Sequence, residues 1–236
     1  MHILTLSTID NSINMNKILC FDTSSNSCSV AIAEGQNILS FEQELRPSMQ
    51  AERLMVMIES MLKSARMQYQ DIDYLAVTIG PGSFTGIRIG LAVAKGILHA
   101  SSMQGVAIDN FEAANYRLAM QVREYDTAFI ILNAYRRQVY VQELVQDGAK
   151  SQPGLVDNSD IADLLKERKG CIVCTGSGLP EIYTEIKNLD NLIILPRFPT
   201  IKAVHIARLA DDKINKGIFD PIEPLYIRPP DAVIPN

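Results

Sequence analysis

The spacing of apolar residues alternates between a strand period and a helix period, and the same order of elements occurs twice along the chain. Three apolar runs separated by turn-forming residues predict an antiparallel three-stranded meander within 17–44. From Gln50 the apolar residues recur at helical spacing, and a strand over 74–79 leads through a glycine-rich segment into a second helix. A strand pair within 128–144, followed by alternating helices and strands, repeats this order. Strands followed by helices, twice over, predict two α/β lobes of related design.

These elements divide the chain into four predicted parts. We expect an N-terminal extension over 1–16, an N-terminal lobe over 17–122, a C-terminal lobe over 123–220 and a tail over 221–236. Met15 stands just before the first predicted strand, so residues 1–14 are interpreted as an upstream extension or a misplaced start. The last sixteen residues hold five prolines, which is too many for regular structure, so we expect an extended tail.

The charge balance argues against a freestanding nucleic-acid binder. The 236 residues carry 22 basic and 27 acidic side chains, a net charge of −5, and no basic cluster is visible. We therefore expect any contact with nucleic acid to need a partner. The start has no Lys or Arg before Lys17, and the most apolar later stretch contains Arg88, Lys95 and His99. Neither a secretory signal nor a membrane span is predicted, and we expect a cytoplasmic protein.

Two cysteines have the spacing C-x-x-C, which occurs in redox pairs and in zinc sites. Cys171 and Cys174 lie in a predicted buried strand, where residues three apart point to opposite faces of the sheet. We therefore interpret both thiols as small buried hydrophobic groups. The three histidines, His2, His99 and His205, lie far apart without ligand spacing, so no metal site is expected.

The first strand ends in Asp22, Thr23 and Ser24. A strand–Asp–turn–strand hairpin is how actin-like ATPases and sugar kinases hold magnesium and cradle phosphates, usually with a glycine two residues after the Asp. Here that position is Ser24. Two interpretations stay open for the geometry: a vestigial nucleotide site at these three residues, or a polar turn in which Asp22 binds the following amides. For catalysis we prefer the polar turn.

The segment 80–96 reads GPGSFTGIRIGLAVAKG. It is not a phosphate loop of the form G-x-x-x-x-G-K-[ST], because none of its glycines is followed by Lys and then Ser or Thr. In the predicted helix, Gly86, Gly90 and Ala94 lie four apart on one face. A glycine inside a helix costs about 1 kcal/mol relative to alanine, so two of them need a reason. Small residues at this spacing let another element approach closely, either the lobe's own sheet or a partner.

The preceding helix carries five of the nine methionines. Met57 and Met61 fit a core stripe, whereas Met55 falls outside it and is expected to be exposed. A methionine-rich helix beside a glycine-notched one predicts a docking face for a partner. The predicted interface residues are Arg53, Leu54, Met57, Met61, Gly86, Ile87, Gly90 and Ala94. We expect Gly90→Phe to block docking while leaving the lobe largely folded.

Five stretches resemble the TsaB (YeaZ) family, the non-catalytic subunit of the bacterial tRNA threonylcarbamoyladenosine machinery. They are ILCFDTSSNSCSVAIAE, QAERLMVMIESML, GPGSFTGIRIGLAVAKG, NAYRRQVYV and PLYIRPPDA. The resemblance covers nearly everything from Lys17 to the tail. It implies a two-lobe actin-like, sugar-kinase-like α/β fold, with a mixed sheet and helices in each lobe.

The resemblance also implies partners. The first two helices of the N-terminal lobe would form a homodimer in isolation or a heterodimer with the catalytic paralogue TsaD, on which the ATPase TsaE docks. The complex transfers threonylcarbamoyl to the adenosine adjacent to the anticodon of ANN-decoding tRNAs, and the chain would meet tRNA only through the complex. No catalytic residue, cofactor or membrane contact is implied for the chain itself.

The sequence departs from the family at two places. Relatives commonly have a histidine where this chain has Gln50, and the usual Asp-Ala-Arg of the second lobe reads Asn133-Ala134-Tyr135. Both changes weaken an independent metal or nucleotide site. Two alternatives remain: an actin-like ATP-dependent small-molecule kinase or ATPase that uses Asp22 with magnesium, and a metallopeptidase.

Overall fold

A computed structural model describes residues 15–25, 27–145, 148–195 and 201–228. The predicted extension 1–14, Asn26 in the first predicted turn and the last eight residues of the predicted tail lie outside the described residues.

The first sheet contains the predicted meander and two further strands. Its strands are β1 (Lys17–Asp22), β2 (Cys28–Glu34), β3 (Asn37–Glu44), β4 (Tyr74–Gly80) and β5 (Gln104–Asp109). They lie in the order β3-β2-β1-β4-β5, with β1, β2 and β3 antiparallel and β4 and β5 parallel to β1. The helices α1 (Gln50–Ala65), α2 (Phe84–Ala100) and α3 (Asn110–Gln121) alternate with the later strands. The predicted meander within 17–44, the helix start at Gln50 and the strand over 74–79 agree with the structure to within a residue or two.

The second sheet repeats this topology. Its strands are β6 (Thr127–Asn133), β7 (Gln138–Val145), β8 (Gly154–Asp157), β9 (Ile172–Thr175) and β10 (Leu192–Ile194). They lie in the order β8-β7-β6-β9-β10, with the same antiparallel and parallel relations as in the first sheet. The helices α4 (Ile161–Lys166) and α5 (Leu179–Ile186) cover it. The predicted fold of two related lobes, each a mixed sheet with helices, is therefore confirmed.

One strand was missed by the sequence analysis. β8 has four residues, lies at the edge of the second sheet and is only partly buried. A short edge strand shows too little alternation of apolar and polar residues to be recognised.

Two helices join the lobes. α6 (Ala203–Asn215) belongs to the predicted C-terminal lobe by its position in the sequence, yet it packs on β1, β2 and β5 of the first sheet. α3 lies between the sheets, because Ala113 packs in the core of the first sheet while Phe111 and Leu118 pack against the second. The bounds of the two lobes stay a prediction, since the chain crosses back to the first sheet after β10.

The described part of the tail contains no helix or strand. Ile222 packs against the first-lobe core, and the Leu225 N–H donates to the Ile79 carbonyl at 2.8 Å. Ile227 then packs against the cluster formed by α3 and the second sheet. The tail therefore contacts both lobes.

Cys171 and Cys174 pack into different clusters on opposite faces of the second sheet, as the strand geometry predicted. Both are free thiols, and burial raises the pKa of Cys174 to about 12. In the described ranges, no helix combines the length and the apolar character needed to cross a bilayer.

Candidate functional site

Asp22 is fully buried at the end of β1, and donors from the same chain surround its carboxylate. Its Oδ1 accepts hydrogen bonds from the Ser24 N–H at 3.0 Å, the Ser24 hydroxyl at 2.5 Å and the Thr78 hydroxyl at 2.6 Å. The Ser25 hydroxyl donates to Oδ2 at 3.3 Å. Burial raises the pKa of Asp22, and these hydrogen bonds oppose that rise. The contacts are those of the polar turn, and a nucleotide role for Asp22, Thr23 and Ser24 stays a prediction.

The loop before α2 lies directly against this turn. The Ser83 N–H donates to the Ser24 carbonyl at 2.8 Å. A Cβ at Gly82 would lie 2.3 Å from the same carbonyl oxygen, so only glycine allows the two backbones to approach this closely. Ser83 also caps α2, because its hydroxyl accepts the Gly86 N–H at 3.2 Å. Protein atoms therefore occupy the space next to the turn.

Asn110, the first residue of α3, closes the same region. Its Nδ2 donates to the Ser24 hydroxyl at 2.8 Å and to the Pro81 carbonyl at 2.7 Å. Because a carbonyl oxygen only accepts, the amide orientation is fixed, with Oδ1 turned away from both. That buried Oδ1 has no hydrogen-bond partner among the described residues.

A small cavity separates the lobes at this point. It has a volume of about 120 Å³, whereas ligand sites for drug-sized molecules measure ~300–1,000 Å³. Residues from both lobes line it, among them Ser24, Gly82, Asn110, Ala114, Leu132, Asn133, Tyr135, Ser177 and Ile201. The cavity in this conformation is too small for a nucleotide.

The eight predicted interface residues lie together along α1 and α2, but seven of them face inward. Leu54, Met57 and Met61 of α1 and Gly86, Ile87, Gly90 and Ala94 of α2 are buried within the chain. Arg53 is half-buried, and its guanidinium pairs with Glu42 at 2.9 Å and with Glu44 at 3.7 Å. Helical periodicity located the two helices, but the residues that it picked out as an interface lie on the side that packs on the first sheet.

Gly86 and Gly90 of α2 leave room for Thr23 of the same chain. A Cβ at Gly86 would lie 2.0 Å from the Thr23 carbonyl oxygen, and one at Gly90 would lie 2.4 Å from the Thr23 hydroxyl. That hydroxyl donates to the Gly86 carbonyl at 2.7 Å, so α2 rests on the β1–β2 turn. The expectation that Gly90→Phe leaves the lobe folded is therefore wrong, because the new side chain would displace Thr23.

Comparison with known proteins agrees with this architecture. Residues 48–161 match a family model described as TsaD, tRNA N6-adenosine threonylcarbamoyltransferase. The tRNA threonylcarbamoyladenosine biosynthesis protein TsaB of Haemophilus influenzae is 28% identical, covering 89% of this chain and 93% of that protein. The TsaB protein of Buchnera aphidicola subsp. Schizaphis graminum is 28% identical over 71% of this chain and 81% of its own length. YeaZ from Pseudomonas aeruginosa has the same fold, with a TM-score of 0.74, 22% identity and coverage of 90% of this chain and 100% of that one. Over most of its length, the chain is similar to TsaB (YeaZ) proteins.

In this TsaB-like chain, α1 and α2 also present residues to solvent on the side away from the first sheet. Met55 and Val56 of α1 are 42% and 54% exposed, and Ala92 and Gly96 of α2 are exposed as well. We call these four residues the helix-pair surface. A Cβ at Gly96 would meet no atom within 4 Å, so packing within the described chain does not explain this glycine. The exposure of Met55 was expected from the helical pattern, whereas no local pattern marks Gly96.

Gln50, which stands where TsaB relatives commonly have a histidine, has a structural contact. Its Nε2 donates to the Ser25 carbonyl at 2.8 Å and ties the start of α1 to the β1–β2 turn. Across the described segments, no three His, Cys, Asp or Glu side chains come close enough together to hold a metal ion.

Proposed function

We propose that this chain is a non-catalytic subunit for tRNA threonylcarbamoyladenosine biosynthesis. It would pair with a TsaD-like catalytic paralogue, on which a TsaE-like ATPase docks, and form a homodimer in isolation. The complex would transfer threonylcarbamoyl to the adenosine adjacent to the anticodon of ANN-decoding tRNAs. Similarity to TsaB proteins and the names of the matched relatives support the pathway.

The state of Asp22 is the single observation that carries the non-catalytic role. A nucleotide-hydrolysing cleft needs carboxylate oxygens open to a magnesium ion, which takes oxygen ligands in near-octahedral geometry. Here Oδ1 of Asp22 already accepts three hydrogen bonds from Ser24 and Thr78. The adjoining cavity of about 120 Å³ supports the same conclusion, because a nucleotide would not fit.

The helix-pair surface supports the partner role. Large side chains such as Met55 and Val56 lose apolar exposure when a partner covers them, and methionine adapts to partners of different shape. Gly96 lies on the same two helices and would let a second helix approach closely. We therefore place the partner interface on the exposed sides of α1 and α2, and the buried residues predicted from the sequence support these helices from below.

The decisive variant is Val56→Glu, with Met120→Glu as its control. Met120 is 61% exposed on α3, away from the helix-pair surface, so both variants add one charge at an exposed apolar position. We expect Val56→Glu to lose co-purification with the TsaD-like protein and stimulation of tRNA modification, because a carboxylate would be buried in the interface without a partner. Met120→Glu should retain both, and both variants should melt like the wild type.

The assay mixes the TsaD-like and TsaE-like proteins with substrates, with and without this chain. Wild-type yield of the complex with Val56→Glu would show that the interface lies elsewhere. Substrate-stimulated ATP turnover by the isolated chain, abolished in Asp22→Asn, would replace the proposal by the kinase or ATPase alternative.

A further inference from the structure

The turn between β6 and β7 has an uncommon backbone. Tyr135, Arg136 and Arg137 have φ angles of 59°, 56° and 62°, so three consecutive residues with side chains lie in the left-handed region. Each carries a steric cost there, because its Cβ approaches the backbone. We call residues 135–137 the arginine turn. Such conformations persist only where the surrounding structure imposes them, and they concentrate at functional sites.

Local hydrogen bonds hold the turn in this shape. The Tyr135 N–H donates to the Asn133 side-chain oxygen at 2.7 Å. The Gln138 N–H donates to the Tyr135 carbonyl at 3.1 Å, and the Ala134 N–H donates to the Gln138 carbonyl at 3.1 Å. The conformation is therefore specified within the hairpin itself.

Two further segments hold the turn from outside. The Asn158 N–H donates to the Arg137 carbonyl at 2.9 Å. From the tail, the Arg228 guanidinium donates to the Ala134 carbonyl at 2.9 Å and also to the side-chain oxygen of Gln138. Residues of β7, of the segment after β8 and of the tail therefore all form hydrogen bonds with this one strained turn.

The arginine turn places one tyrosine and two arginines at exposed positions, with Tyr135 beside the cavity between the lobes. Tyr135 is 43% exposed and lines that cavity, and Arg136 and Arg137 are both exposed. Burial and the nearby Glu181 carboxylate raise the pKa of Tyr135, so its hydroxyl remains a hydrogen-bond donor at neutral pH. Guanidinium groups bind phosphates in a bidentate geometry, and aromatic rings stack on unpaired bases.

A lysine also stands next in sequence to a residue that lines the cavity. Ile201 lines the cavity, and Lys202 follows it at the start of α6. Burial first, and then the charges of Arg117, Lys202 and Arg208, lower the pKa of His205 to about 4. In the described chain no carboxylate is among the groups that shift this histidine. Lys202 therefore adds a positive charge next to the cavity lining, in a chain whose net charge is −5.

We propose that the arginine turn is a direct contact site for RNA, and that its occupant is the tRNA that the complex modifies. Arg136 and Arg137 would bind backbone phosphates, and Tyr135 would stack on an unpaired base. A ring beside two guanidinium groups matches RNA, in which bases alternate with phosphates, better than an acidic protein surface, which offers no base. The inference rests on the proposed function, and it replaces the expectation that the chain meets tRNA only through its partners.

The test is the double variant Arg136→Gly/Arg137→Gly. Glycine adopts positive φ without steric cost, so the variant removes both charges and relieves the backbone at once. We expect its melting temperature to equal or exceed that of the wild type while its affinity for tRNA falls about tenfold. The slope of log affinity against log salt should become shallower by roughly 0.7–0.9 for each phosphate that the variant no longer neutralises. A purely structural turn would not lose RNA affinity while stability is kept.

The probe is a fluorescent, unmodified transcript of a tRNA that reads an ANN codon, titrated between about 50 and 200 mM salt. Anisotropy is recorded for the isolated chain and for its complex with the TsaD-like and TsaE-like proteins. The control is Lys166→Gln/Lys169→Gln, which removes two positive charges from exposed residues at the end of α4, outside the cavity lining. The control should bind tRNA like the wild type.

The outcomes separate this inference from the proposed function. An unchanged affinity and salt slope in the arginine-turn variant, with a wild-type complex that modifies tRNA, would overturn the inference and leave the function standing. If the arginine-turn variant no longer binds the TsaD-like or TsaE-like protein but keeps its affinity for tRNA, the turn contacts a protein, and the inference is overturned. A wild-type chain that binds no paralogue would overturn the function, and the tRNA affinity of the isolated chain and its variant would still decide the inference. If neither the isolated chain nor its complex binds tRNA, both the inference and the proposed function are overturned.

Discussion

Asp109 is a helix cap whose own ionisation opposes folding. Its carboxylate accepts the Glu112 N–H at 2.8 Å, and the Glu112 carboxylate accepts the Asp109 N–H at 3.2 Å, which forms a capping box at the start of α3. Burial, followed by the negative charge of Glu112, raises the pKa of Asp109 to about 6. Lys213 lowers this pKa, but less than burial raises it. The helix therefore begins at a carboxylate that is buried from water and lies beside another negative charge.

The Asp109→Asn variant should change the pH dependence of stability in a defined direction. Because the pKa rises from 3.8 to about 6 on folding, the native state binds the proton more tightly, and stability falls as pH rises from about 4 to about 6. Asparagine keeps the cap without the charge. We expect the variant to be more stable than the wild type at pH 8 by at most about 3 kcal/mol, and equal to it below about pH 4. Urea unfolding across this range measures the difference, and a constant difference would contradict the assignment.

At this scale, the sequence offered the polar turn as one of two interpretations of the geometry, and it did not show the turn's full set of partners. Asp22 and Ser24 are two residues apart, so their contact follows from local turn chemistry. Thr78 and Asn110 reach the same turn from β4 and α3, across 56 and 86 positions of sequence. No local pattern contains such a contact, because it depends on how the elements pack.

At the scale of elements, α2 contains glycines that serve different purposes. Gly86 and Gly90 face Thr23 at distances that exclude a Cβ, whereas Gly96 faces open space. The sequence showed only that glycines recur at helical spacing. Which neighbour each one admits was decided by the position of α2 against the β1–β2 turn.

Two single substitutions in this helix should therefore have opposite signs. Gly86→Ala would place a Cβ 2.0 Å from the Thr23 carbonyl, and we expect it to lower the free energy of unfolding by about 1–3 kcal/mol. Gly96→Ala would meet nothing within 4 Å in the chain itself, so at a protein concentration low enough to keep the chain monomeric it should raise that free energy by about 1 kcal/mol through helix propensity. Urea denaturation of the two proteins at equal concentration compares them, each as the control for the other. Changes of the same sign would refute this reading of α2.

At the scale of the whole molecule, α3 and the tail contact both lobes, and α6 packs on the first sheet and on α3. Along the tail, Tyr226 accepts a hydrogen bond from Arg88 at 3.1 Å, and its ring packs at a tilt against Phe84, with ring centroids 5.4 Å apart. Two residues later Arg228 reaches the hairpin of the second lobe. The tail therefore links the start of α2 with the arginine turn, although the sequence shows only a proline-rich end.

Removing the last of these links should loosen the second lobe locally. We expect Arg228→Ala to speed amide hydrogen exchange in the peptide covering Ala134–Gln138 by about tenfold, because a charge-assisted hydrogen bond is removed. Exchange in β1 and β4 should be unchanged. Arg88→Ala, which removes the hydrogen bond to Tyr226 and the cation–π contact with Phe84, serves as the control and should leave that peptide protected. Equal protection in Arg228→Ala and the wild type would show that the tail does not restrain the turn.

The sequence by itself determined the order of the elements, the two-lobe fold and the resemblance to TsaB proteins, because apolar periodicity, turn residues and the GPGSFTG motif are local properties. It also predicted that Cys171 and Cys174 would lie on opposite faces, since strand geometry fixes this. Tertiary structure alone decided that α6 returns to the first sheet, that the predicted interface residues face inward, and that the tail holds the arginine turn. These features depend on which surfaces meet across long separations in the chain. A period of 3.6 residues identifies the buried side of a helix, but it does not show what covers the other side.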